Sequence, residues 1–213
     1  MSDALSPNLV LTGFMGTGKT AVGRRIATLT GRTFVDLDAE IVNKHGDIAE
    51  MFERDGEERF RQVERDVLAD FALKRNQVIA TGGGTLLDPD NVVALLGSEV
   101  YTLTADPAEI HQRILADGID SRPILAKADD VQAEIETLLA DRSEAYGKFP
   151  AVDTTGKSIE GVIEALREAG ATVTTQQAMD PEAVKNRTNQ IMYAVIAVAA
   201  AIALVLLILV LTF

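Results

Sequence analysis

The sequence predicts an α/β protein in which a parallel sheet lies between layers of helix. Short apolar runs alternate along the chain with longer amphipathic stretches, and strands joined through helices pair in parallel, because each return crossover needs a helix to cover the sheet. The first apolar run also breaks into a glycine-rich loop that opens a helix, which ties the first strand to the first helix. At 213 residues the chain suits one well-buried domain with something appended, and is short for two domains of usual size.

The elements follow in order. Asn8 to Leu11 is a strand, and the glycine loop after it opens a helix from Lys19 to about Leu29. Thr33 to Val35 is the second strand, followed by acidic, amphipathic helices between Ala39 and Lys74. Gln77 to Ala80 and Glu99 to Leu103 are strands, with a helix after Pro89 between them. Further helices begin near Pro107 and Asp129. Ala151 to Asp153 reads as a weak last strand and Ser158 to Glu168 as the last helix, for a sheet of about five strands. No internal repeat is visible.

Between Gly170 and Thr188 the composition turns to Thr, Gln, Ala and Asn without apolar periodicity, which reads as a linker. From Ile191 to Phe213 the chain is IMYAVIAVAAAIALVLLILVLTF, without a charged residue. About 20 apolar residues span a bilayer as a helix. A buried core helix rarely stays apolar on every face for such a length, so this run is expected to be a transmembrane helix. Lys185 and Arg187 precede it, and the positive-inside bias then places the preceding domain in the cytoplasm. The start, MSDALSPNLV, lacks the basic and apolar regions of a secretory signal. The expected division is therefore an α/β domain with the glycine-rich loop over residues 1–172, a polar linker over 173–190 and a transmembrane helix over 191–213.

Composition narrows the chemistry. A formal net charge of -12 argues against a general nucleic-acid binder, which needs a surplus of Lys and Arg against phosphates. With no cysteine, disulfide frameworks, thiolate nucleophiles and Cys-based zinc sites are excluded. Any anionic ligand must be met by locally placed cations.

Residues 10–20 read VLTGFMGTGKT, in which Gly13, Gly18, Lys19 and Thr20 complete the phosphate-loop pattern G-x-x-x-x-G-K-[ST] between a strand and a helix. Glycines let backbone N–H groups approach phosphate oxygens, and the helix N-terminus adds partial positive charge. Lys19 is expected at the β and γ phosphates and the Thr20 hydroxyl on Mg²⁺, with Gly16, Thr17 and Ala21 in the same ATP site. The loop identifies a nucleotide site but not a reaction.

Three further groupings bear on the reaction. After Phe34-Val35 come Asp36 and Asp38, which in a strand would face the same side and project together beside the phosphate loop. One would hold Mg²⁺ and the other would accept a hydrogen bond from the hydroxyl being phosphorylated; the plainer reading is a strand end that caps the next helix. In GEERFRQVERDVLADF, residues 56–71, Phe60, Val63, Val67 and Phe71 share one helical face, Glu64 borders it, and Arg61 lies one turn back. A partly buried carboxylate needs a partner, so Glu64 is expected to orient Arg61 toward an anionic substrate, unless Arg61 belongs to a surface lattice with Glu57, Glu58 and Arg65. Finally, Gly82, Gly83 and Gly84 follow the strand at Val78-Ile79-Ala80 and suggest close backbone approach to a ligand, or else a flexible turn.

The ordered set GFMGTGKT, FVDLD, GEERFRQVE, ATGGG, SRPIL and DRSEAY, over roughly residues 8–169, resembles the shikimate kinases. The resemblance implies a three-layer P-loop kinase fold and transfer of the ATP γ-phosphate to the 3-hydroxyl of shikimate, with Mg²⁺ as cofactor, in aromatic amino acid biosynthesis. By position, Asp36 resembles the family's metal-side carboxylate, and Asp38 looks like the aspartate that bonds the acceptor hydroxyl and can act as base. Arg61 and Arg142 look like the pair that clamps the shikimate carboxylate, while Gly82, Gly83 and Gly84 would line the shikimate pocket. Arg122 resembles the lid arginine that closes on the phosphates, and Arg113 would flank the adenine. The stretch from Asp117 to Asp130 reads as the lid itself. Members of this family are usually soluble, so the apolar tail is not explained by the resemblance. The competing expectations are a P-loop kinase for another small hydroxy acid, such as a sugar acid, and a non-catalytic, membrane-tethered nucleotide-binding protein.

Overall fold

The computed structural model describes residues 6–118, 125 and 128–175. Apart from Thr175, all of these fall in one compact unit, Met1–Thr174. Among the described residues no helix is long and apolar enough to cross a membrane. The apolar run from Ile191 to Phe213 and nearly all of the linker lie outside them, as does Arg122.

The strands are β1 (Leu9–Thr12), β2 (Thr33–Asp36), β3 (Gln77–Ala80), β4 (Glu99–Thr104) and β5 (Ala151–Asp153). All pair in parallel in the order β2-β3-β1-β4-β5. The helices are α1 (Lys19–Thr30), α2 (Leu37–His45), α3 (Ile48–Ala72), α4 (Pro89–Ala94), α5 (Pro107–Asp117), α6 (Val131–Asp141), α7 (Ser143–Tyr146) and α8 (Ile159–Glu168).

Alternation along the strands makes two cores, one on each face of the sheet. Leu9, Leu11, Val78, Tyr101, Leu103 and Val152 pack with α1 and α8 through Val22, Ile26, Val162, Ile163 and Leu166. Val10, Val35 and Ile79 point the other way, into α2 and α3, against Leu37, Ile41, Val63, Val67 and Phe71. The expected three layers result, and β1 and β3 are buried along their full length. A third cluster, Phe14, Ile110, Ile114, Leu125, Ile135 and Tyr146, joins the phosphate loop to α5, α6 and α7. Val173 is buried in the first core, so the packed domain runs past residue 172.

One detail differs from the expectations. Asp36 and Asp38 do not project from one strand: Asp36 ends β2 and caps α2, its Oδ1 accepting from Ala39 N at 3.3 Å, and Asp38 lies in the first turn of that helix. The cause is that Asp is a strong N-cap, so the helix begins at Leu37. The break in α3 agrees with the helix expected over residues 56–71: Gly56 takes φ +82° and the helix restarts before Glu57.

Strand order reverses between β3 and β1, since β1 leads outward to β2 whereas β3 passes beyond β1 to β4. Ligands in open parallel sheets bind at such a reversal, outside the carboxyl ends of the strands. The phosphate loop follows β1 and the glycine triplet follows β3, so the two flank this point. Their strand ends are tied together by Thr81 N to Leu11 O at 3.0 Å and Thr81 Oγ1 to Thr12 Oγ1 at 3.2 Å.

Candidate active site

A cleft of about 1350 Å³ opens at the carboxyl ends of the strands. Single-ligand pockets occupy roughly 300–1,000 Å³, so the volume suits two small molecules side by side. Its walls hold Gly16 to Ala21, Asp36, Asp38, Arg61, Gly82 to Gly84, Arg113 and Arg142. Gly13 does not line the cleft; its part is structural. It takes φ +124°, and a Cβ there would fall 2.1 Å from Leu103 O on β4, so only glycine allows the loop to leave β1 at this angle.

On the loop side, Lys19 is buried and its Nζ donates to Gly13 O and Phe14 O, each at 2.8 Å. The Thr17 hydroxyl closes the loop on Phe14 O at 2.7 Å. Thr20 Oγ1 donates to Asp36 Oδ2 at 2.8 Å, so the first turn of α1 and the end of β2 present two hard oxygen groups together. Such a pair fits Mg²⁺, which takes one or two protein oxygens and fills its remaining places with phosphate and water. Arg113 on α5 reaches Gly16 O at 3.1 Å, Thr154 Oγ1 and Thr154 O at 3.0 Å, and pairs with Glu109. It thereby joins the phosphate loop to the turn after β5.

The opposite wall is made by side chains that hold one another. Glu64 on α3 is 1% exposed, and its carboxylate is matched on both oxygens. Oε2 accepts from Arg61 Nη1 at 2.8 Å and Oε1 from Thr85 Oγ1 at 2.7 Å. Glu57 takes the Nε and Nη2 edge of Arg61 at 3.3 and 3.1 Å, so the expected pair and part of the lattice alternative coexist. Burial opposes the charge on Arg61, but Glu64 and Glu57 outweigh it and raise the pKa of the guanidinium.

Asp38 stands where the two walls meet. Its side chain is open to the water of the cleft, yet protein surrounds it closely on its other sides. That desolvation raises its pKa from 3.8 to about 6; Lys19 and Arg61 pull it down, while Asp36 and Glu64 push it further up. Gly82 makes the crowding possible, because a Cβ there would lie 2.7 Å from Asp38 Oδ1 and 3.3 Å from Glu64 Oε1. The triplet is therefore a fitted surface rather than a flexible turn: a Cβ on Gly84 would sit 3.0 Å from Arg61 Nη2, and one on Gly83 would sit 3.6 Å from Arg142 Nη1.

Arg142 lies between α6 and α7, half-buried over the ring of Phe14 at 5.5 Å. Its Nη1 makes a long contact of 3.4 Å to Gly83 O, and among the described residues no carboxylate pairs with it. Tyr146 takes the same carbonyl at 2.6 Å, and burial raises its pKa, with Arg142 opposing. Thr85 and Tyr146, which support this wall, were missed by sequence reasoning because nothing in the pattern marks a buried hydroxyl as a donor to a particular acid or carbonyl. His111, for which the sequence suggests no role, pairs with Gln132 at 3.0 Å.

Residues 15–170 match the shikimate kinase family. A shikimate kinase of Pelotomaculum thermopropionicum is 44% identical over 160 residues, covering 74% of this chain and 91% of that protein. One from Caldanaerobacter subterraneus is 40% identical over 165 residues, 76% of this chain and 95% of the relative. Among solved structures, a shikimate kinase from Acinetobacter baumannii in complex with shikimate aligns with a TM-score of 0.68 at 30% identity, covering 78% of this chain and 96% of that one.

Proposed function

The chain belongs to the shikimate kinase family, and on that premise we propose that its cleft transfers the γ-phosphoryl group of ATP to the 3-hydroxyl of shikimate, in the pathway to the aromatic amino acids. The observation that carries this reading is the meeting of a phosphate loop, a carboxyl group with a raised pKa and two arginines around one cleft sized for two ligands.

The phosphate side is the loop from Gly13 to Ala21. Its backbone N–H groups and the start of α1 receive the phosphates, and Lys19 leaves the carbonyls of Gly13 and Phe14 to follow the β and γ oxygens. Thr20 and Asp36 would hold Mg²⁺, which when bound neutralises charge on the phosphates. Arg113 stands at the nucleotide end, on the side expected for the adenine, and Arg122, outside the described residues, is assigned to the lid over the phosphates.

On the acceptor side, Arg61 and Arg142 bind the carboxylate of shikimate, and the triplet Gly82 to Gly84 gives the ring a surface without side chains. Asp38 accepts a hydrogen bond from the attacking hydroxyl, orients its oxygen toward the γ phosphorus and takes its proton as the new P–O bond forms and the bond to ADP breaks. A carboxyl group near pKa 6 is ionised at neutral pH and still basic enough to serve.

The test is acceptor-dependent release of ADP by purified protein with MgATP. Release with shikimate, and not with gluconate or other sugar acids, is the expected result; no stimulation by shikimate would refute the assignment.

The tail belongs to the proposal on sequence grounds. We assign residues 191–213 to a single transmembrane helix, the residues between Thr174 and Ile191 to the linker, and the kinase domain to the cytoplasmic side, because the run is uncharged and long enough to span and is preceded by Lys185 and Arg187. A full-length protein that stays wholly in the soluble fraction after gentle lysis would overturn this. A soluble version for assay should end after Thr175, since Val173 is part of the core and Thr172 is hydrogen-bonded to Glu99 at 2.8 and 2.6 Å.

A further inference from the structure

Behind Arg61 runs a line of buried polar groups that the reaction itself does not use. Asn91, 1% exposed on α4, donates from Nδ2 to Thr85 O at 2.8 Å. Thr85, fully buried in the turn after the glycine triplet, donates from Oγ1 to Glu64 Oε1 at 2.7 Å. Glu64 in turn accepts from Arg61 Nη1 through its other oxygen, and these two side chains bring the line to the wall of the cleft. The turn that carries Thr85 is braced from outside by Arg65 on Asp88 at 2.7 Å.

A buried carboxylate with two oxygens and two donors has one well-defined orientation, whereas with one donor it can rotate about its last bond. Arg61 is a long side chain whose guanidinium has a second carboxylate, that of the exposed Glu57, within reach on its solvent side. Any loosening of Glu64 therefore lets Arg61 shift toward Glu57 and away from the triplet. We propose that Thr85 is a positioning residue for the acceptor: with its backbone carbonyl held by Asn91, its hydroxyl locks Glu64 and through it aims Arg61 at the shikimate carboxylate. This rests on the function proposed above. Among the described residues the Thr85 hydroxyl makes no hydrogen bond to the phosphate loop or to a charged group other than Glu64, so its effect should be confined to the acceptor.

Thr85→Val keeps the shape and removes the donor. The expected result is a rise of about tenfold in KM for shikimate, with kcat and KM for ATP near their wild-type values. Thr85→Ser, which restores a hydroxyl, should bring KM back to within about twofold. In an Arg61→Ala background the substitution should have no further effect on shikimate KM, because the residue through which it acts is gone. An unchanged shikimate KM in Thr85→Val overturns the proposal, as does an equal rise in the Arg61→Ala background or a parallel rise in KM for ATP. If Thr85→Val fails to fold, as read by its melting curve, Thr85→Ala, which also removes the donor and adds no bulk, carries the same test. Wild-type protein that gives no shikimate-dependent ADP defeats the proposed function and is seen before any variant is made.

Discussion

The phosphate loop of the cleft is one continuous stretch, Gly13 to Thr20, whereas the acceptor side gathers Asp38, Arg61, Gly82 and Arg142 from α2, α3, the turn after β3 and the junction of α6 with α7. The loop holds itself, through Thr17 on Phe14 O and Lys19 on Gly13 O and Phe14 O. The acceptor wall is held by other side chains: Thr85 and Arg61 on Glu64, and Tyr146 on the carbonyl of Gly83. A loop held mainly by its own contacts, with Arg113 on Gly16 O as an outside tie, is damaged chiefly from within. A wall assembled from distant parts can be weakened from behind, without touching anything that meets the substrate.

That difference sets the order of expected effects. Lys19→Ala should be the most severe, lowering kcat by about 10³-fold, the scale on which preorganised charge at a transferring phosphoryl group acts. Asp38→Asn should follow at about 10²-fold in kcat, with KM for ATP little changed, because a positioned base is worth at least that much. Arg61→Ala and Arg142→Ala should instead raise KM for shikimate by roughly 10–100-fold, since each removes a charged hydrogen-bond donor to the carboxylate. Steady-state kinetics with each substrate varied in turn separate these cases. If Arg142→Ala changed KM for ATP and left that for shikimate unmoved, the division of the cleft into two halves would be wrong.

Legibility follows the same line. The sheet, its five strands and the loop could be read because consecutive residues carry the signal: LVLT and QVIA are buried along their whole length and are apolar but for Thr12 and Gln77. The pair Arg61 and Glu64 was readable because helical spacing places residues three apart on one side. The relation of Asp36 to Asp38 was misread, since alternation along a strand fails once a capping residue starts a helix between them. The support of the acceptor wall was not readable at all. Thr85 and Glu64 are 21 residues apart, and Tyr146 and Gly83 are 63 apart, so only the folded chain brings them together.

Asp38, placed where the halves meet, gives a pH signature. Its folded pKa is raised, so the ionised form needed as base is lost as pH falls through about 6, well above the ordinary carboxylate value of 3.8. The acid limb of kcat/KM for shikimate should therefore lie near pH 6. A limb near pH 4 would mean that the crowding by Gly82 and Glu64 has no electrostatic consequence.

The smallest expected effect is on stability, and its sign runs against function. A carboxyl group whose pKa is higher in the folded than in the unfolded state contributes stability below about pH 3.8 that is lost as pH rises through about 6. At pH 8 the wild type thus carries a charge that the fold disfavours, and Asp38→Asn removes it. Water in the open cleft screens that charge, so the gain should be only about 1 kcal/mol, or roughly 2–4 °C in Tm for a domain of this size. The gain should shrink toward zero near pH 4, where the folded wild type is already protonated. Melting curves of the chain ended after Thr175, taken at both pH values, measure this directly. An Asn variant less stable than wild type at pH 8 would show that Asp38 is held by favourable partners, Lys19 and Arg61 foremost, and that it belongs to the acceptor wall as a structural member rather than standing against it as a poised base.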